Sequence, residues 1–137
     1  MISIAIVDTG PLVASANRAD PDHSACVEAL QSRDYALVLP ALCIAEATCL
    51  IGKKQGARIE SLFLGSLESF DVQAPIAAEW TRIAELVEEY KDFPLGGTDA
   101  SVAALAERFE TELIITLDRK HFSVLQTRRG RPFRLLP

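Results

Sequence analysis

Apolar positions along this chain fall in short blocks, each closed by glycine, proline or an acid. The first, M-I-S-I-A-I-V-D-T-G-P-L, puts Ile2, Ile4 and Ile6 on one side of an extended strand and Ala5 and Val7 on the other. A strand apolar on both faces belongs at the centre of a sheet covered by helices on both sides. Thr9-Gly10-Pro11 stops it, since glycine and proline do not continue a central strand. Asp8 then stands at its carboxyl end, where open α/β sheets place their ligands.

The pattern then predicts a helical turn over residues 12–16 and a helix from Asp20-Pro21-Asp22 to about residue 32, with Asp22 as its cap. Residues 35–39 read as a strand. Pro40 suits the first turn of a helix ending at Gly56. A further helix covers 57–67 and a short strand 69–72. Residues 75–89 form a helix with Ile76, Trp80, Ile83, Ala84 and Val87 on one face. After Leu95-Gly96-Gly97, Thr98 or Asp99 opens a helix reaching Phe109. The block L-I-I-T-L, residues 113–117, is a second strand apolar on both faces and ends at Asp118. One helical turn over 119–124 and an edge strand over 133–136 complete the chain. Strands alternating with helices give an α/β fold with a mainly parallel sheet. A length of 137 residues without repeat or linker fits a single domain, 1–137.

Hydrophobic residues make up 49% of the chain, yet no apolar run reaches the roughly 18 residues of a membrane span. No positive segment precedes the first apolar block, so that block is not read as a signal peptide. Cys26, Cys43 and Cys49 are odd in number and lack CxxC spacing; they are expected to be buried, reduced thiols of a cytoplasmic protein. His23 and His121 have no zinc-ligand spacing. Net charge is −5, unevenly spread: Arg119, Lys120, Arg128, Arg129, Arg131 and Arg134 follow Asp118 with no acid among them, and the preceding 118 residues carry −11. Overall acidity argues against a nucleic-acid binder held by bulk charge. The basic tail suits a solvated end, a phosphate contact or an acidic partner.

Four carboxylates gain meaning together. Asp8 and Asp118 end central strands, and Asp99 opens a helix. Glu46 stands in P-A-L-C-I-A-E-A-T-C-L-I-G, where Thr48 is the only other polar residue between Ala41 and Ile51. A carboxylate on so apolar a helix is costly to bury unless it is paired or holds a metal. In a doubly wound sheet these four points can meet at one carboxyl edge. Clustered carboxylates raise each other's pKa unless a cation neutralises them, and hard oxygen ligands select Mg²⁺ or Mn²⁺. Such an ion suits phosphodiester hydrolysis with no call on His or Cys. The chain has no GxxxxGK[ST] phosphate loop, no GxGxxG and no GxSxG elbow. Gly10 stands where an aspartyl-nucleophile phosphatase would want a second acid.

V-D-T-G-P-L, the isolated Glu46, P-L-G-G-T-D-A-S-V-A-A-L-A-E-R and I-T-L-D-R-K-H-F resemble, in order and spacing, the motifs of PIN-domain ribonucleases. The likeness spans essentially the whole chain and is strongest to the VapC-type toxins of bacterial toxin–antitoxin pairs. It implies an α/β/α sandwich, a Mg²⁺- or Mn²⁺-dependent endoribonuclease, inhibition by a cognate antitoxin, and a homodimer. Asp8, Glu46, Asp99 and Asp118 match the family's acidic quartet, Thr116 a supporting hydroxyl and Thr98 a neighbouring variation. On this reading Asp8 and Asp99 are the main metal ligands, Glu46 and Asp118 complete the pocket, and the stop at Thr9-Gly10-Pro11 keeps a side chain from covering the metal and starts the first helix beside the pocket. The basic tail either positions RNA or meets an acidic antitoxin tail. Two rivals are an inactive PIN-like interaction module, disfavoured by a complete quartet, and a Mg²⁺-binding signalling receiver, for which a phospho-accepting Asp on the third strand and a later Lys are not convincingly supplied.

Overall fold

The computed structural model describes residues 2–137; Met1, which opens the first apolar block, lies outside them. The first block forms strand β1 (Ser3–Val7), and Ala5, Ile6 and Val7 are fully buried in it. β1 is flanked by β2 (Tyr35–Pro40) and β4 (Leu113–Ile115), with β3 (Asp71–Gln73) beyond β2 and β5 (Arg134–Leu136) beyond β4. All four pairings are parallel, with Ala5 opposite both Leu37 and Leu113.

The strand order β3-β2-β1-β4-β5 carries the chain outward from β1 through β2 to β3, then back past β1 to β4. Right-handed crossovers place the helices before and after that reversal on opposite faces. α1 (Thr9–Ser15), α2 (His23–Gln31), α3 (Ala41–Gln55) and α4 (Ala57–Ser66) precede it; α5 (Ala77–Glu89) and α6 (Gly97–Arg108) follow β3, and α7 (Arg119–Phe122) follows β4. α1 packs on α2 and α3, α3 on α4, and α5 on α6. This is the expected α/β sandwich, with a sheet that is wholly parallel among the described residues.

α6 is buried all round from Ala100 to Ala106. Small side chains let it approach the sheet closely, and it touches β1 and β2. Such all-round burial is what an all-apolar helix needs.

Several boundaries differ from the sequence pattern for local reasons. α1 begins at Thr9 and includes Gly10 and Pro11, because first-turn N–H groups need no intrahelical acceptor and proline is tolerated there. A Cβ on Gly10 would meet Leu117 Cβ at 3.4 Å, so the first turn of α1 packs against Leu117. Pro40 ends β2 in extended conformation instead of entering α3. Asp22 sits at the N-cap of α2, but its side chain makes no capping bond. In α5 only Ile83 and Leu86 are buried; Ile76 and Trp80 are 55% and 50% exposed and Ala84 is exposed too, so three of the five residues on the expected apolar face look outward. Cys26 and Cys43 are buried as expected, whereas Cys49 is exposed. No helix among the described residues is long and apolar enough to cross a membrane.

Ile6 is fully buried at the centre of this sheet. Ile6→Ala is expected to lower unfolding free energy by about 2–5 kcal/mol, read as a lower urea midpoint at an unchanged slope.

Candidate active site

β1 and β4 are neighbours whose following connections leave in opposite directions, towards β2 and β5. A crevice opens at such a switch point, outside the carboxyl ends of the strands. Asp8 directly follows β1 there, and its N–H donates to Ile115 of β4 at 2.9 Å. Its side chain is almost sealed from water, at 5% exposure. Thr116, itself buried, donates its hydroxyl to Asp8 Oδ2 at 2.8 Å and accepts the Asp118 N–H at 2.9 Å. One hydroxyl thus ties the two strand-end acids together. The Cys43 thiol of α3 lies 3.8 Å from Asp8 Oδ1. Burial and the Asp8 charge drive that thiol far up, so Cys43 is no nucleophile.

Asp118 caps α7. Its Oδ1 accepts the His121 N–H at 3.0 Å, and its Oδ2 lies 2.7 Å from His121 Nδ1. The far ring nitrogen is 3.2 Å from the Pro94 carbonyl, and Phe93 packs edge-on against the ring at 5.1 Å. Asp99 reaches the same place from the first turn of α6: one ligand atom each of Asp99, Asp118 and His121 fits within 4.8 Å of the others. Thr98 contributes its carbonyl, which accepts the Ser101 hydroxyl at 2.6 Å.

Glu46 differs from its expectation. It is exposed, because α3 buries only the stripe Cys43, Ala47 and Ile51, one turn apart each, and leaves Ala45, Glu46, Cys49 and Leu50 to solvent. The helix is apolar without being buried, so the burial argument for Glu46 fails. Its charge still reaches the pocket and raises Asp99 and Cys43. His121 is the member that sequence reasoning passed over. Its signal was the D-x-x-H spacing after a strand, which puts acid and imidazole on one turn.

The electrostatics are those of a crowded anionic pocket. Burial pushes Asp8 up to about 6, Asp99 and Asp118 add to the rise, and the Thr116 hydroxyl and Thr9 N–H oppose it. Burial also raises Asp99, with Asp118 adding to it and His121 opposing. Among the described residues no Lys or Arg pairs with Asp8, Glu46, Asp99 or Asp118. The Thr9 hydroxyl next to Asp8 is buried without a hydrogen-bond partner. Oxygen donors crowded without a balancing cation form a set that fits a small hard divalent ion.

The PIN-domain family profile matches residues 5–126. The chain belongs to the PIN-domain family. It is similar to Ribonuclease VapC26 of Mycobacterium tuberculosis, with 36% identity over 134 residues, covering 96% of this chain and 99% of that protein. This PIN domain also superposes on VapC20 of Mycobacterium tuberculosis, described as a sarcin–ricin loop cleaving toxin, with a TM-score of 0.75 and 18% identity over 82% of this chain and 87% of the other. A toxin–antitoxin complex from Klebsiella pneumoniae gives a TM-score of 0.67 and 22% identity over 88% and 92%. The two structural likenesses speak for the fold.

Asp8 sets a pH dependence. Its folded pKa lies above the unfolded value, so the native state holds the extra proton. The stability this contributes is present below about pH 4 and is lost as pH rises through about 6. Without metal, wild type is expected to lose roughly 3 kcal/mol more than Asp8→Asn across that window. Urea titrations of both proteins in chelator check this; parallel pH curves would contradict it.

Proposed function

We propose that this PIN domain, working as one unit, is the toxin of a type II toxin–antitoxin pair and hydrolyses RNA phosphodiester bonds with a divalent ion. The observation that carries the reading is the Asp99–Asp118–His121 cluster at the β1/β4 switch point, with Asp8 tied to the Asp118 amide through Thr116 and raised by the Asp99 and Asp118 charges, in a chain 36% identical to a named ribonuclease over nearly its whole length. Asp8 and Asp99 would hold Mg²⁺, or Mn²⁺ in its place, with Asp118 and the rim charge of Glu46 completing the pocket. Bound there, the ion supplies water activation and neutralises charge developing on the phosphoryl group.

The protein's own residues prepare that site. Thr116 fixes the Asp8 carboxylate and, through the Asp118 amide, the loop that carries the next acid. His121 holds Asp118 from the other side and is braced by Phe93 and Pro94. Such outer partners set ligand orientation. Burial of Asp8 disfavours its charge in the absence of an ion, so the site favours a cation over empty solvent.

Similarity to a toxin–antitoxin complex supports a cognate antitoxin as partner. The family resemblance supports a homodimer. Three cysteines without a disulfide suit a reducing cytoplasm.

With total RNA and Mg²⁺ or Mn²⁺, discrete cut ends are expected, and chelator or Asp8→Asn should abolish them. Cleavage that persists in chelator would overturn the metal dependence; no cleavage of any RNA would favour the inactive interaction module. Thr116→Val should keep the fold and lower activity or metal affinity about 10–100-fold. Full activity in that variant would remove Thr116 from the site.

A further inference from the structure

We propose that an arginine-lined cleft at the amino edge of the sheet, opposite the acidic pocket, is a second RNA-binding surface that grips substrate phosphates away from the bond being cut. The proposal rests on the ribonuclease reading above. The cleft, about 920 Å³, is lined by Arg128, Arg129, Arg131 and Arg134 from the basic tail, Arg82 from α5 and Arg108 from α6.

The charges there are not balanced. Arg82 forks onto Glu107 at 2.9–3.2 Å, and Arg108 is held by Glu79, Gln73 and the Ala74 carbonyl. Arg128 lies 3.6 Å from the same Glu107 that Arg82 already occupies, and Arg131 reaches Glu112 at 3.3 Å; both are largely exposed. Arg129 and Arg134 have no carboxylate partner among the described residues. Six arginines against Glu79, Glu107, Glu110 and Glu112 leave the cleft positive, in a chain of net charge −5.

Position relates this cleft to the pocket. Arg134 pairs with Leu113, which pairs with Ala5, three residues before Asp8. Strand rise and spacing put Arg134 about 14 Å from Asp8 at the backbone. β5 is the outer strand of the sheet on this side. Arg119 and Lys120 stand at its pocket end, where Arg119 holds the Pro137 carbonyl, and Arg134 stands at its cleft end. Cations therefore mark both ends of an open sheet edge that leads from the acids to the cleft. An acidic pocket repels a polyanion, and cations beside it offset that repulsion. All four basic tail residues in the cleft are arginines, whose fork matches phosphate oxygens in pairs. A repeating phosphate backbone can use the whole edge at once, which an acidic peptide seated in the cleft alone would not.

The test uses full-length protein carrying Arg129→Gln and Arg134→Gln, with Arg129→Gln alone as the variant outside any strand. In an Asp8→Asn background, binding of a labelled stem-loop RNA is followed against salt. Each lost phosphate contact lowers the salt slope by about 1, so the pair should lower it by about 2 and the single change by about 1. With Asp8 intact, KM for the stem-loop should rise at unchanged kcat, while an oligonucleotide too short to leave the pocket is cleaved as by wild type. An unchanged slope and KM would overturn the proposal. So would loss of polyglutamate binding with RNA binding intact, which would assign the cleft to an acidic protein. If wild type cleaves neither RNA, the ribonuclease reading fails, and the salt slope alone decides the cleft.

Discussion

The structure depends on holding a carboxylate in near-complete burial at the end of its central strand. Asp8 is 5% exposed, with Cys43 against one oxygen and the Thr116 hydroxyl on the other. A buried charge of this kind is tolerated where hydrogen bonds and a counter-charge meet it. β4 must therefore lie beside β1 so that Thr116 reaches Asp8, and the chain must reverse between β3 and β4 for that adjacency to arise. The all-round burial of α6 brings Asp99 to the same edge. Fold and site are two consequences of one placement.

The switch-point crevice gathers its acids through different kinds of support. Asp8 is fixed by packing and Thr116. Asp118 is fixed by its own helix turn and by His121. Asp99 rides the first turn of a rigid buried helix. Glu46 contributes charge from an exposed rim. This gradation from sealed to open suits a pocket that must bind an ion firmly and still admit a large polyanion. The separation of charge along the chain serves the same end: acids converge at the carboxyl edge, and most tail arginines gather at the amino edge.

Much of this was legible in the sequence because it rests on local chemistry. Two-faced apolar blocks ending in acids identified β1 and β4, and Gly56 marked the end of α3. Asp8, Asp99, Asp118 and Thr116 fall at strand ends and a helix start, positions that the topology alone brings together. What misled was exposure. α3 and α5 are apolar beyond the stripe each buries, so composition overstated the burial of Glu46, Cys49, Ile76 and Trp80. Tertiary packing decides which apolar residues are covered, and no periodicity records it. His121 escaped because its ligand-like neighbours are Asp118, three residues back, and Asp99, from a separate helix.

A divalent ion held between Asp8, at the end of β1, and Asp99, in the first turn of α6, is the central claim. Its most direct measurement is anomalous scattering from crystals soaked in Mn²⁺, for wild type and Asp8→Asn. One strong peak or a close pair is expected between Asp8 and Asp99 in wild type, and none in the variant. A peak bound elsewhere, or an unchanged peak in Asp8→Asn, would contradict the account.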